Sequence, residues 1–392
     1  MAFLGNRSVN LLNLHYGMHS LAVSGGGAFF AVYLLKAGVS LPLVFCAFAT
    51  ILGGRFCLRP IILIFGKAWG LRPVVMLGTL VQALQYPLLA RVHGLDGWLL
   101  ALCIVSAAGD TLYWTTYHAY FAALGDAEHR GHQVSAREAL VSAVSIVGPI
   151  LGGWGITHLG PVAAFGGVAL VQAIAALPLL ASPNVAIAKT APGAIWASRM
   201  GFAICVSDGW VSAGYYIGWQ LFLFLTLKES FTAYGGALAL AGVVGAIFGL
   251  ILGKLVDLGH GAKAATLAFA VFAAYTIARS LTVTIPMALI LNAIGALAGS
   301  LYVPPMSTAV YNLAKASPCP LRFHMVTEGA YDIGSGLGCL VAAGLIAAGV
   351  PLRVTLLTSV LGALGTLFFL RRYYASEDQS ALSASQSADL IS

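Results

Sequence analysis

The residues able to do chemistry stand out because they interrupt long apolar runs. Asp110, Trp114, Tyr117 and His118 lie in the run from Trp98 to Leu124 at i, i+4, i+7 and i+8, which is one face of a helix. Arg55 and Arg59 are i, i+4, as are Glu328 and Asp332, and His15 and His19. Asp208 shares its run with Tyr215 and Trp219, and Tyr302 stands in a later one. A carboxylate at the centre of a membrane helix costs about 2.5–3.5 kcal/mol on insertion scales. A chain keeps such a group where it faces water, a partner or a ligand. A buried carboxylate can take a proton and so carry one, whereas an arginine stays charged and needs a carboxylate, a carbonyl or an anionic ligand. The expected chemistry is the handling of protons and a solute.

Each residue also has a plainer use. Asp110 could neutralise Arg55 or a histidine of the first run. Glu328 and Asp332 could pair with Arg322, and Arg59 could reach the interface by snorkelling. The histidines could make helix–helix hydrogen bonds. His15-x-x-Met18-His19 could hold a soft metal, but no second cluster supports it, so neither a metal site nor a cofactor is expected. The aromatic residues of the run around Asp208 suit helix packing and the interfacial belt as well as ligand stacking. Arg279, near the end of its run, is expected to be structural.

The elements that must position these groups are membrane spans. The chain has 392 residues, 59% hydrophobic and 8% charged, against about 25% charged in soluble domains. Apolar runs long enough for helices, without strict alternation, exclude a β-barrel. Twelve spans are expected, at 10–35, 41–65, 73–91, 97–123, 136–158, 161–182, 198–227, 232–256, 263–282, 284–313, 322–349 and 351–371. Residues 1–182 form one six-helix bundle, 183–197 a linker, 198–372 a second bundle, and 373–392 a disordered tail. Most of the 20 Lys and Arg residues fall on the side of the termini, which places both termini in the cytoplasm. They form no cluster, so the net charge of +7 does not indicate nucleic acid. The six cysteines show no CxxC spacing and read as core residues.

An internal repeat is visible. Phe65-Gly66-Lys67 after span 2 and Leu252-Gly253-Lys254 after span 8 are separated by the offset that also carries Gly148-Pro149 onto Ser335-Gly336. Two halves in the same orientation fit a transporter whose site lies between them.

On these residues the chain resembles the major facilitator superfamily over nearly its whole length. Gly70, Arg72 and Pro73 fit the family's first loop signature, although Lys67 stands where an Asp is usual. Gly253, Asp257 and Lys263 fit the second copy. Arg130-Gly131 and Gly148-Pro149-Ile150-Leu151-Gly152-Gly153 resemble its R-G loop and G-P-x-x-G-G helix. The resemblance implies an all-α fold of two six-helix bundles related by a pseudo-two-fold axis, with spans 1, 4, 7 and 10 lining a central cavity and spans 3, 6, 9 and 12 facing lipid. It implies a secondary transporter, not an enzyme, working as a monomer in a bacterial inner membrane and driven by protons. The proton and substrate path would use Asp110, Trp114, Tyr117, His118, His15, His19, Arg55, Arg59, Asp208, Tyr215, Trp219, Tyr302, Glu328 and Asp332. Asp257, Lys254, Arg72 and Arg130 would lock the halves together. Gly148, Gly152 and Gly153 would let helices approach, and Pro149 would bend span 5. The two arginines suggest an anionic or zwitterionic substrate, and the aromatics one with an apolar body. The G-P-x-x-G-G helix leans toward export of a drug or metabolite. Import of a metabolite, metal or metal chelate is the alternative, and a non-transporting sensor or assembly factor is a rival of another class.

Overall fold

The structure, a computed structural model, describes residues 6–124, 130–188, 190–256 and 261–389. It is built of helices that alternate in direction. α1 is Arg7–Lys36, α2 Leu41–Leu58 with its continuation Ile61–Trp69, α3 Leu71–Leu89, α4 Gly97–Leu124, α5 Arg130–His158 and α6 Pro161–Leu180. The second set is α7, from Arg199–Ser212 through Ala213–Gly218 to Trp219–Thr226, then α8 Phe231–Val256, α9 Gly261–Ser280, α10 Ile285–Ala316, α11 Pro320–Ala347 and α12 Thr358–Asp389. Among the described residues, eight helices are long and apolar enough to cross a membrane, and Phe231–Ile247 and Ala265–Ser280 are shorter apolar helices. The order agrees with the expected series of spans.

Local chemistry sets where the helices break. α1 loosens at Gly25-Gly26-Gly27, and α2 is interrupted at Arg59-Pro60, because proline has no N–H to give its own turn. α7 carries a π-helical turn over Ala213–Gly218, where Gly214 and Gly218 lie against Leu356. α10 runs unbroken through Pro304-Pro305. The tail from 373 continues α12 as helix to Asp389. It contains neither Gly nor Pro, and extending an existing helix avoids the cost of nucleation.

Close packing at small residues fixes the helices. A Cβ on Gly148 would meet Ser24, one on Gly152 would land on the Gly25 carbonyl, and one on Gly153 would land on the Phe231 carbonyl. α5 therefore lies backbone-to-backbone against α1 in its own half and α8 in the other. α7 and α11 repeat the device, with Gly209 against the Tyr331 carbonyl and Gly334 against the Val206 carbonyl. At the end of the bundle opposite the termini, Phe29 meets Phe231 and Tyr234 at ring distances of 6.3 and 5.5 Å, and Lys36 pairs with Glu229 at 2.8 Å. The halves are closed there. Between spans at that end, Asp96 caps α4 by accepting from Leu99 N at 2.9 Å and His93 N at 3.0 Å. The Leu99 amide, followed by that of His93, holds its carboxyl below the usual carboxylate range.

The glycine contacts define a test. Gly152→Ala forces backbone apart and is expected to cost about 1–3 kcal/mol by overpacking. Gly167→Ala, with nothing within 4 Å of its added Cβ, serves as the control. Thermal unfolding in detergent reads both, and equal melting points would refute the close approach of α5 to α1.

Candidate functional site

The site is assembled on α2, where Arg55 and Arg59 point into the bundle just before the proline break. Arg55 NH1 lies 3.6 Å from Asp110 Oδ2 of α4, and its NH2 lies 3.5 Å from Glu328 Oε2 of α11. Its Nε is 2.9 Å from Asp332 Oδ1, close but off the line of a hydrogen bond. Arg59 pairs with the other oxygen of Asp332 and donates to Thr115 Oγ1 at 2.6 Å. Asp332 is 1% exposed and Arg59 4%. Two guanidinium groups are thus held by three carboxylates, and the pairs to Glu328 and Asp332 cross from the first six helices to the last six.

A second network runs away from Asp110. Gln82 of α3 donates to Asp110 Oδ1 at 2.7 Å, and Gln172 of α6 donates to Gln82 Oε1 at 3.0 Å. The Gln172 amide also meets His19 Nδ1 of α1, 3.0 Å from its nitrogen and 3.2 Å from its oxygen. His15 Nδ1 donates to the Ala175 carbonyl at 2.6 Å, and its Nε2 lies 3.1 Å from the Tyr113 hydroxyl.

Three chambers surround these groups. The main one, of about 410 Å³, is lined by Arg55, Trp114, His118, Asp208, His324 and Glu328, with Tyr311, Tyr331 and Met306 among the remaining wall. That volume lies within the range of roughly 300–1,000 Å³ for small-molecule pockets. A second chamber of about 310 Å³ adds Gln82, Asp110, Ser212 and Ser335 to the shared residues Arg55, Trp114 and Tyr331. A third, of about 380 Å³, lies along α1 and α5 and holds His19 and Trp114. Trp114 therefore borders all three. His118 and His324 stack across the halves at 5.9 Å.

Asp110, Trp114, His118, His19, Arg55, Arg59, Asp208, Glu328 and Asp332 lie at or beside the chambers. Others do not. Tyr117 is fully buried among the rings of Tyr16, Tyr113 and His15. His15 is packed in the first half, and Tyr302 lies behind Asp208 against Phe272. Tyr215 and Trp219 turn away from the main chamber and, with Tyr275, surround Arg279 at 4.6, 4.2 and 4.4 Å. Arg279 is accordingly buried at the centre of an aromatic cage, where its NH1 donates to the Tyr215 carbonyl at 2.9 Å. α1 was expected in the main wall, but α2 and α11 take that place. α3, α6 and α9, expected to be lipid-facing, each turn polar groups inward: Gln82, Gln172 and Arg279. Arg72 ties α3 to Ser182 and Asn184 at the start of the linker, not to the second half. Asp257 and the side chains of Lys254 and Arg130 lie outside the described residues.

His324, Gln82, Gln172 and Tyr331 join the site without standing among the residues the sequence points to. His324 was visible as the turn before Glu328 and Asp332 on the same face. The glutamines were visible as polar residues in otherwise apolar helices.

Membrane-length helices in two sets, closed at one end and holding charged groups around a cavity between them, define a membrane transporter. Residues 12–318 match the sequence model of the Major Facilitator Superfamily, and the chain belongs to that superfamily. The crystal structure of the human organic anion transporter MFSD10 (TETRAN) is similar in fold, with a TM-score of 0.65 at 16% identity over 93% of this chain and 99% of that one. No curated protein matches the sequence.

The Arg59–Asp332 pair can be tested by a double-mutant cycle. Asp332→Asn alone leaves Arg59 without a carboxylate and is expected to cost about 3–5 kcal/mol; Arg59→Gln, which leaves Asp332 to Arg55, costs less, and part of the loss is recovered in the double variant. Thermal unfolding in detergent measures it, and strictly additive losses would contradict the pairing.

Proposed function

We propose that this protein is a secondary active transporter that moves a small molecule by alternating access, with protons as the coupling ion. One observation carries the reading: two guanidinium groups are matched by three carboxylates at the wall of a cavity between the halves. With all five ionised, the cluster holds one negative charge in excess, which one proton removes. Protonation of Asp110 or Glu328 weakens its hold on Arg55 and changes how strongly the halves are bound. Such a differential between two conformations is what couples a proton to a solute. Asp332, held by both arginines, acts as the fixed anchor.

Supporting features obey the same logic. Asp110 and Glu328 border different chambers and share Arg55, so a proton exchanged at one alters the charge felt at the other. His118 faces the Glu328 wall from the other half, His324 stands one turn before Glu328 on α11, and the two imidazoles, stacked at 5.9 Å, could relay its proton. The contact of α5 with α8 and the Lys36–Glu229 pair would open when the cavity turns to the opposite face. Arg72, Arg130, Lys254 and Asp257 would act at the other end. The bias of Lys and Arg toward the side of the termini supports a cytoplasmic-membrane protein with both termini inside. The G-P-x-x-G-G helix supports export of a drug or metabolite.

The test is reconstitution into proteoliposomes loaded with a pH-sensitive dye. Pulses of a panel of amines, organic acids, sugars and drugs are applied with and without an imposed pH gradient. At least one solute should drive proton movement, and Asp110→Asn should abolish the gradient-driven component. Proton movement that persists unchanged in Asp110→Asn would remove that carboxylate from the mechanism. A silent panel together with an unchanged cellular phenotype for Asp110→Asn would favour a sensor or assembly factor instead.

A further inference from the structure

We infer that the main chamber recognises a cationic group carried on an aromatic or other apolar body, and that Asp208 is its anchor. This rests on the reading of the chamber as a substrate site. It departs from the expectation, drawn from the two arginines, of an anionic or zwitterionic substrate.

The charges decide it. Arg55 is already shared among Asp110, Glu328 and Asp332 at 3.6, 3.5 and 2.9 Å, and Arg59 is taken by Asp332. An anion entering the chamber would have to displace a carboxylate that is covalently fixed to the wall. The next guanidinium toward the terminal end, Arg137, is bound to Glu138 at 2.7 Å and stacked on Tyr16 and Phe121 at 5.0 and 4.9 Å. None of these three arginines offers a free positive charge.

Asp208 is the opposite case. It lines the chamber from α7 and forms no ion pair among the described residues. Its neighbours are the Tyr302 hydroxyl behind it and a second carboxylate, Glu328. His118 and His324, in the same wall, stack on each other at 5.9 Å, and neither forms an ion pair with Asp208 among the described residues. A carboxylate in a low-dielectric wall without a cation is costly, so a positively charged occupant gains what the protein leaves unmatched. Trp114, Tyr311 and Tyr331 supply aromatic faces in the same wall. Ring faces attract cations by their quadrupole and apolar bodies by burial. Met306 and Val310 add apolar surface to the chamber. A carboxylate set among rings suits an organic ammonium; it repels a sulfonate or carboxylate of the same shape.

Two probes that differ only in charge test this. 1-Naphthylmethylammonium and 1-naphthylacetate share a naphthalene ring and a methylene. Isothermal titration of the full chain in detergent gives both affinities. The ammonium should bind at least about tenfold more tightly, and Asp208→Asn should weaken it by about tenfold or more without improving the acetate. Asp208→Glu, which keeps the charge, should stay close to the unmodified chain and shows whether a loss in Asp208→Asn comes from charge or from folding. Tighter binding of the acetate, an unchanged ammonium affinity in Asp208→Asn, or no binding of either probe would each overturn the assignment. The proton–solute assay with Asp110→Asn does not depend on the charge of the solute, so coupling through Asp110 can stand where this fails.

Discussion

Burying a guanidinium inside a membrane protein leaves few choices. It does not release its proton at any ordinary pH, and lipid offers no acceptor. Arg55 and Arg59 sit one turn apart on α2, so their partners had to be brought to them. α4 brings Asp110 and α11 brings Glu328 and Asp332. Since α2 and α4 belong to the first six helices and α11 to the last six, meeting this need also joins the halves. The interface cannot separate at this level until the charges are re-paired, hydrated or neutralised. That makes the cluster a two-state element, because the pairs are either made or replaced and have no continuous intermediate.

The rest of the bundle holds the cluster in register. Glycines at the α1–α5 and α7–α11 crossings remove the side chains that would hold backbones apart. Without a hydrophobic driving force between helices in lipid, such close contact is a main source of association. The same close approach between α5 and α8 seals the end opposite the termini. Rigid pairs of helices let a small change at one carboxylate be expressed as movement of a half.

How much of this the sequence revealed depends on the kind of fact. Facing residues on one helix were legible: Arg55 with Arg59, Glu328 with Asp332, Asp110 with Trp114 and His118. Periodicity reports a face, and the structure places these faces inward. Partners were not legible, because periodicity carries no information about which helix lies opposite. That is why Arg55 could be suspected of binding substrate when it is in fact surrounded by carboxylates. The misplacement of Tyr215 and Trp219 has a specific cause. In a regular helix they would share a face with Asp208. The π-helical turn at Ala213–Gly218 inserts a residue, and each inserted residue rotates the downstream part of the helix by about 100°. The rings then face Arg279 instead of the chamber. Nothing in the composition of that stretch announces the turn beyond its glycines, Gly214 and Gly218.

The glutamines carry the last consequence. An amide side chain offers donors at one atom and an acceptor at another, so a chain of amides has a direction. Gln82 gives its donors to Asp110, which leaves its oxygen to receive Gln172, which in turn meets His19. While Asp110 is an acceptor, this order is fixed through α3, α6 and α1. A proton on Asp110 that points toward Gln82 would favour the reverse order. The interior of the first half, including the third chamber beside His19, would then respond to the state of a carboxylate it does not touch. An apolar bundle gains from such a chain what helix packing alone cannot supply, a means for one buried charge to reorient groups in helices that never contact it.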